Sequence, residues 1–270
     1  MNNSILKKIA KALRLSREQT DSNHIAALNS EIEYLKGQLN LAKLCGLPTE
    51  NDRALYSSPT RGMNLWTWLP TFANREDFTI LEIGSREVAN KSRLKECLPR
   101  AKHIGFDIHK GANVDLVGDA HRLSDYVLPN SVDVIISFAV FEHLAMPWIV
   151  AEEYSKVLKI GGVAGTFTHF SFGEHELPWH FFQFNNRGLE VLFNNHLGFE
   201  TIESGKGMPM VGRFSYDCSP EQAGRPIPNL YCSSYLVTKK IADRPLDFCW
   251  LSCLDSAYKQ TMYPKNTGIY

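Results

Sequence analysis

The chain has 270 residues, 44% of them apolar and 21% charged, the composition of a folded protein and not of a disordered one. Its 29 Lys and Arg balance 29 Asp and Glu, so there is no overall positive field to hold a polyanion and no nucleic-acid partner is expected. No run of about 18 apolar residues marks a membrane span, and the start of the chain lacks the apolar stretch of a secretory signal, so a cytoplasmic location is expected.

Residues 1–46 read as a helical arm. Lys7, Lys8, Lys11, Arg14 and Arg17 alternate with Ile5, Leu6, Ile9 and Leu13 at helical spacing, with no acidic residue before position 18. Such a basic amphipathic helix can touch an anionic membrane through residues 1–20, or lie on its own protein. A second helix is expected from Ser22 to Cys45. Ile25, Leu28, Ile32, Leu35, Leu39 and Ala42 form an a/d seam in it, with Ile and Leu placed as in parallel two-stranded coiled coils. Glu31 and Lys36 fall where they could pair between two helices. Self-association through residues 22–45 is therefore expected, with packing on the globular domain as the competing arrangement. Gly46 and Pro48 stop this helix, and residues 51–61 read as a linker to a helix near Met63–Phe72. The expected domains are thus an arm at 1–46, a linker with a leading helix at 47–76, a catalytic domain at 77–240 and a packed extension at 241–270.

From Phe78 the pattern alternates short apolar runs with helical stretches. Strands are expected at Thr79–Ile83, His103–Ile108, Val114–Val117, Val132–Ser137, Val163–Thr168, Phe199–Glu203 and Tyr231–Thr238. Helices are expected at Val88–Leu98, at Pro147–Leu158 stopped by Gly161-Gly162, and at Asn186–Asn195. This is the order of an α/β doubly wound sheet, which binds ligands outside the carboxyl ends of its strands. Those ends are chemically marked. Gly84 follows the first strand and allows a close backbone approach. Asp107 ends the second, 23 residues later, where a carboxylate can accept ribose hydroxyls. Asp119 ends the third and Ser137-Phe138 the fourth. The six cysteines hold no CxxC pair and read as reduced thiols.

Leu81-Glu82-Ile83-Gly84, Gly105-Phe106-Asp107-Ile108, Gly118-Asp119-Ala120-His121, Asp133-Val134-Ile135-Ile136-Ser137 with Phe141-Glu142-His143-Leu144, and Leu158-Lys159-Ile160-Gly161-Gly162 together resemble the class I S-adenosylmethionine-dependent methyltransferases, and within them the type 11 group. The resemblance covers about Phe78 to Glu203. It implies a Rossmann-like seven-stranded sheet, here preceded by the coiled-coil arm, and S-adenosyl-L-methionine as cofactor. It makes Glu82 a cofactor-binding residue and places Gly84 and Ser85 at the amino-acid end of the cofactor, Asp107 on the ribose, Ile108 on the adenine face, Asp119 and Ala120 at the adenine edge, and Ser137 and Phe138 beside the methionine portion. Arg86 and Val88 stand where the family's fullest loop has further glycines. Arg86 could reach the cofactor carboxylate or solvent. The same departure argues against a nicotinamide dinucleotide, whose pyrophosphate needs those glycines.

An alcohol acceptor benefits from a base, and histidine titrates in the useful range. His143, after the fourth strand, is the first candidate, followed by His169 and His175. His180 is near in a stretch dense in aromatics. His169, His175 and Glu176 could also serve as metal ligands, but their spacing matches no standard site and no metal is assigned. The expected reaction is methyl transfer to an oxygen of a sugar or of a polysaccharide or glycolipid precursor. The alternative is an inactive methyltransferase-like scaffold assembled by its coiled coil.

Overall fold

The computed structural model describes residues 28–36, 65–88, 91–215 and 217–254, together with Lys7. The basic helix expected within residues 1–20 (Lys7 apart), most of the helix expected from Ser22 to Cys45, the linker at 51–61 and residues 255–270 lie outside the described residues. These fall into two compact units.

One unit contains helix α1 (residues 28–36) and the segment Arg213–Pro228. In α1 the three seam residues Leu28, Ile32 and Leu35 are buried within the single chain, and their neighbours are exposed. Lys36 pairs with Glu33 of its own helix at 2.7 Å, one turn away, an arrangement distinct from a pair with Glu31 of another helix. In the other segment, Arg213 bridges Pro226 and Phe214 donates its N–H to the Arg225 carbonyl at 3.0 Å.

The second unit is built on a seven-stranded sheet: β1 (Thr79–Ile83), β2 (Lys102–Asp107), β3 (Leu116–Val117), β4 (Val132–Phe138), β5 (Leu158–His169), β6 (Phe199–Pro209) and β7 (Tyr231–Lys240). Its order is β3-β2-β1-β4-β5-β7-β6. Strands β1 to β5 run parallel, and β7 returns antiparallel between β5 and β6. The order reverses between β1 and β4, which opens a crevice at their carboxyl ends. The central strands are apolar on both faces because both faces are covered. Leu81, Ile83 and Ile135 pack into one core with α4 (Pro147–Val157) and α5 (Asn186–Leu192). Ile80, Val134 and Ile136, their alternating neighbours, pack into the other with α2 (Leu65–Ala73) and α3 (Leu94–Cys97).

The structure departs from the sequence expectation in four places. The helix expected from Val88 contracts to α3, Leu94–Cys97. Ahead of it, the Glu87 carboxylate accepts the Ser92 N–H and Ser92 Oγ donates to Glu82, and such side-chain bonds compete with helix. Helix α4 ends at Val157, before the glycine pair, and β5 begins at once at Leu158. Gly161, at φ 89°, and Gly162 lie inside that strand, at the register shift opposite Val132 and Val134. Helix α5 ends at Leu192, and a separate 3-10 turn covers Asn195–Leu197. Strand β6 runs on to Pro209 through Ser204-Gly205-Lys206-Gly207, a polar stretch that reads as a loop. It is a strand because the bare Gly205 backbone makes room for the Tyr235 ring, whose hydroxyl would lie 2.7 Å from any Cβ there.

Residues 241–254 follow β7. Phe248 and Trp250 lie against the core, and Trp250 Nε1 donates to Glu152 at 2.8 Å. Lys240, fully buried, donates to Asn130 Oδ1 and the Leu158 carbonyl and pairs with Asp243, each at 2.8 Å. All three of its donors are therefore used. Lys240→Ala is expected to cost about 3 kcal/mol of folding stability, because it empties the site and leaves two acceptors unmatched. Denaturant unfolding checks this, and a loss below about 1 kcal/mol would mean that solvent replaces the ammonium. The five described cysteines are free thiols, and among the described residues no helix is long and apolar enough to cross a membrane.

Candidate active site

The carboxyl ends of β1, β2, β3 and β4 surround a cavity of about 830 Å³, within the range of small-molecule sites. Its floor is the turn after β1. Gly84, at φ 72°, donates its N–H to the Phe106 carbonyl at 2.9 Å, and Ser85 does the same at 3.2 Å. A side chain at Gly84 would put its Cβ 2.3 Å from Val140 Cγ2, so only glycine lets the two loops meet here. Ser85 Oγ is buried beside Gly105 with no hydrogen-bond partner among the described residues.

Glu82 ties this turn to its surroundings. Its carboxylate accepts Ser92 Oγ and Asn113 Nδ2, both at 2.9 Å, and Asn113 also donates to the Ser85 carbonyl. Burial raises the Glu82 pKa above its ordinary value, outweighing these two bonds.

Asp107 ends β2 with its side chain mostly covered. One carboxylate oxygen accepts the Arg86 N–H at 3.2 Å and the other the His109 N–H at 2.9 Å. Each oxygen keeps a second acceptor direction. Arg86 turns back along the loop, its Nε 3.7 Å from Asp107 and its aliphatic stem over Gly111. Arg86 is also among the residues lining the cavity.

Asp119 caps the 3-10 segment that starts at Ala120. Its Oδ1 accepts the His121 N–H at 2.9 Å and the His121 ring Nδ1–H at 2.6 Å. Partial burial pushes the Asp119 pKa up, but these bonds hold it below its ordinary value on balance. The other His121 nitrogen accepts the Met146 N–H at 3.2 Å, which fixes the tautomer and links the β3 end to the loop after β4.

Glu82, Gly84, Ser85, Asp107, Ile108, Asp119, Ala120 and Phe138 all line this cavity. Ser137 does not. It is fully buried, on the same strand face as Ile135, and Phe138 takes the wall by stacking on Phe167 at 4.8 Å. Of the three histidines only His143 borders the cavity. Its Nδ1–H donates to the Trp179 carbonyl at 2.8 Å, which leaves the Nε2 lone pair free, 3.8 Å from Glu176 Oε2. His169 and His175 stand behind it, around the buried Glu142. Thr168 Oγ1 donates to Glu142 Oε2 at 2.7 Å, and His169 Nε2 lies 3.2 Å from Glu142 Oε1. Burial lowers the His169 pKa. Glu142 opposes that, the rings of His175, His180 and His143 add to it, and the net is a pKa below the ordinary histidine value. Sequence reasoning missed His109 and gave Val140 and His121 no role. His109 stacks on Trp179 at 5.8 Å, and with Phe181 these rings form an aromatic wall.

Residues 81–165 match the family model described as a methyltransferase domain. No curated protein matches the chain. A putative methyltransferase from Bacillus halodurans is similar in structure at 15% identity, over 67% of this chain and 100% of that one, with a TM-score of 0.46. An S-adenosylmethionine-dependent methyltransferase from Archaeoglobus fulgidus is similar at 16% identity, over 75% of this chain and 98% of that one, at 0.45. The YcgJ protein from Bacillus subtilis is similar at 17% identity, over 67% and 98%, also at 0.45.

Proposed function

We propose, from the premise that residues 81–165 form an S-adenosylmethionine-dependent methyltransferase domain, that the protein methylates a hydroxyl oxygen of a sugar or glycan precursor. The observation that carries the choice of an oxygen acceptor is His143. Its imidazole faces the cavity, and the Trp179 carbonyl holds its tautomer so that Nε2 can take a proton. The cofactor supplies a methyl group already activated by its positively charged sulfur.

The chain's own residues do the rest. Asp107 accepts the ribose hydroxyls through its unused lone-pair directions. Ile108, half exposed, offers an apolar surface to the adenine. Asp119 Oδ2, which accepts no hydrogen bond among the described residues, is free for the adenine amino group. Trp179 and Phe181 give flat walls on which a sugar ring stacks and from which water is excluded. His143 Nε2 takes the hydroxyl proton as the oxygen–carbon bond forms, and the Trp179 carbonyl stabilises the resulting imidazolium. Holding acceptor and methyl group in line supplies much of the rate.

The test is transfer of isotopically labelled methyl from S-adenosylmethionine into fractionated extracts, with products resolved by mass spectrometry. Label is expected in a glycan or glycolipid fraction, on a product heavier by one methylene. His143→Ala is expected to lower that incorporation about 100-fold or more while cofactor binding in a calorimeter stays intact. Label confined to protein or nucleic acid, or full turnover by the His143 variant, would overturn this assignment.

A further inference from the structure

We propose that Glu142, His169 and His175 form a binding site for a divalent transition-metal ion, with two histidine nitrogens and one carboxylate oxygen as ligands. One ligand atom from each of the three lies within 4.8 Å of the others. The site stands behind the cavity wall and does not depend on the methyl-transfer reading.

The carboxylate carries the argument. Glu142 has no solvent exposure, and a carboxylate buried so deeply needs a positive partner or a full set of donors. Thr168 satisfies Oε2, but Oε1 has no hydrogen-bond partner among the described residues. His169 Nε2 is 3.2 Å away and not aligned to donate. That separation suits two ligands on one tetrahedral ion, whose bonds of about 2.0–2.1 Å place neighbouring donors about 3.3 Å apart. With its ligand atom within 4.8 Å of the other two, His175 has to move inward by up to about 1.5 Å to complete such a shell.

The tautomer of His175 agrees. His175 Nδ1 lies 3.0 Å from the Gly173 carbonyl, so that nitrogen carries the proton and Nε2 presents its lone pair. A carbonyl on the far ring nitrogen is how metal-binding histidines are commonly held. His180 accepts the His175 backbone N–H through Nδ1 at 3.1 Å, so its own proton sits on Nε2 and it orients the loop without ligating. The His175 ring centroid is 4.9 Å from that of His143, 5.1 Å from His169 and 4.5 Å from His180. The mixed nitrogen and oxygen donors suit zinc, iron(II) or cobalt(II) better than magnesium or calcium.

The experiment uses the full chain, free of any affinity tag and stripped with a chelator. Cobalt(II) is titrated as a visible reporter and then displaced by zinc. One equivalent is expected, with visible absorption bands that zinc abolishes. Glu142→Gln, His169→Ala and His175→Ala are each expected to weaken binding by roughly a hundredfold. His196→Ala, on the 3-10 turn at Asn195–Leu197, leaves it unchanged. Should Glu142→Gln fail to fold, His175→Ala, on a loop, decides the matter. Absence of stoichiometric binding, or unchanged affinity in the His169 and His175 variants, overturns the site. S-adenosylmethionine calorimetry on the same samples keeps the two readings apart, since cofactor binding without cobalt binding sinks only this one.

Discussion

Asp107→Ala is expected to weaken S-adenosylmethionine binding at least a hundredfold. Two ribose hydroxyls donating to a carboxylate are worth about 1.5–3 kcal/mol each, which together is a factor of about 10² to 10⁴ in affinity. The carboxylate also accepts the Arg86 and His109 N–H groups, so part of the loss comes from the loop it holds. Asp107→Asn separates the two contributions. It keeps the shape and one acceptor oxygen, and is expected to lose only about tenfold. Calorimetric titration reads the affinities, and thermal melting shows that both variants fold. Binding by Asp107→Ala within about threefold of the parent would remove this residue from the site.

Gly84→Ala is expected to be strongly destabilising, through both backbone strain and a collision in the site's own turn. The residue has φ 72°, a conformation that costs a side-chain-bearing residue about 1–2 kcal/mol. The new Cβ would also stand 2.3 Å from Val140 Cγ2, and overpacking of that kind costs about 1–3 kcal/mol more. Together these lower the melting temperature by about 5–15 °C and push the β1 turn into the cavity. Val140→Ala in the same chain removes the collision but not the backbone strain, so the double variant is expected to melt above Gly84→Ala alone and below the parent. A Gly84→Ala variant that melts within about 2 °C of the parent would show that the two loops separate at no cost.

The strands that position the site were legible because they are short apolar runs, and the acids at their ends stand where the chain leaves the sheet. Gly84, Asp107 and Asp119 could be placed one after another on that ground. Ser137 was misplaced toward the cavity although alternation already argued otherwise: it is two residues from Ile135 and shares its buried face. Gly161 and Gly162 looked like a helix stop, since a strand register shift and a helix end draw on the same residue. Strand β5 therefore looked too short, although its far end, read at Thr168, was placed within one residue of His169.

The Glu142 cluster was hidden for a different reason. Glu142 and Thr168 are 26 positions apart, and only the pairing of β4 with β5 brings them together. Local spacing of histidines carries no trace of that contact, and Glu176 was the carboxylate weighed with them from sequence. Glu176 instead faces His143, and the buried Glu142 takes its place. The cavity wall was half visible: Trp179 and Phe181 belong to an aromatic stretch that stands out in the chain, but His109 was invisible until its ring was found against Trp179.

A crystal structure of the full chain with S-adenosylhomocysteine tests the account most directly. The ligand is expected at the carboxyl ends of β1, β2 and β3, with ribose hydroxyls within about 3.2 Å of the Asp107 carboxylate and the base against Ile108. A ligand bound elsewhere, or a soaked crystal whose cavity stays empty, would contradict it.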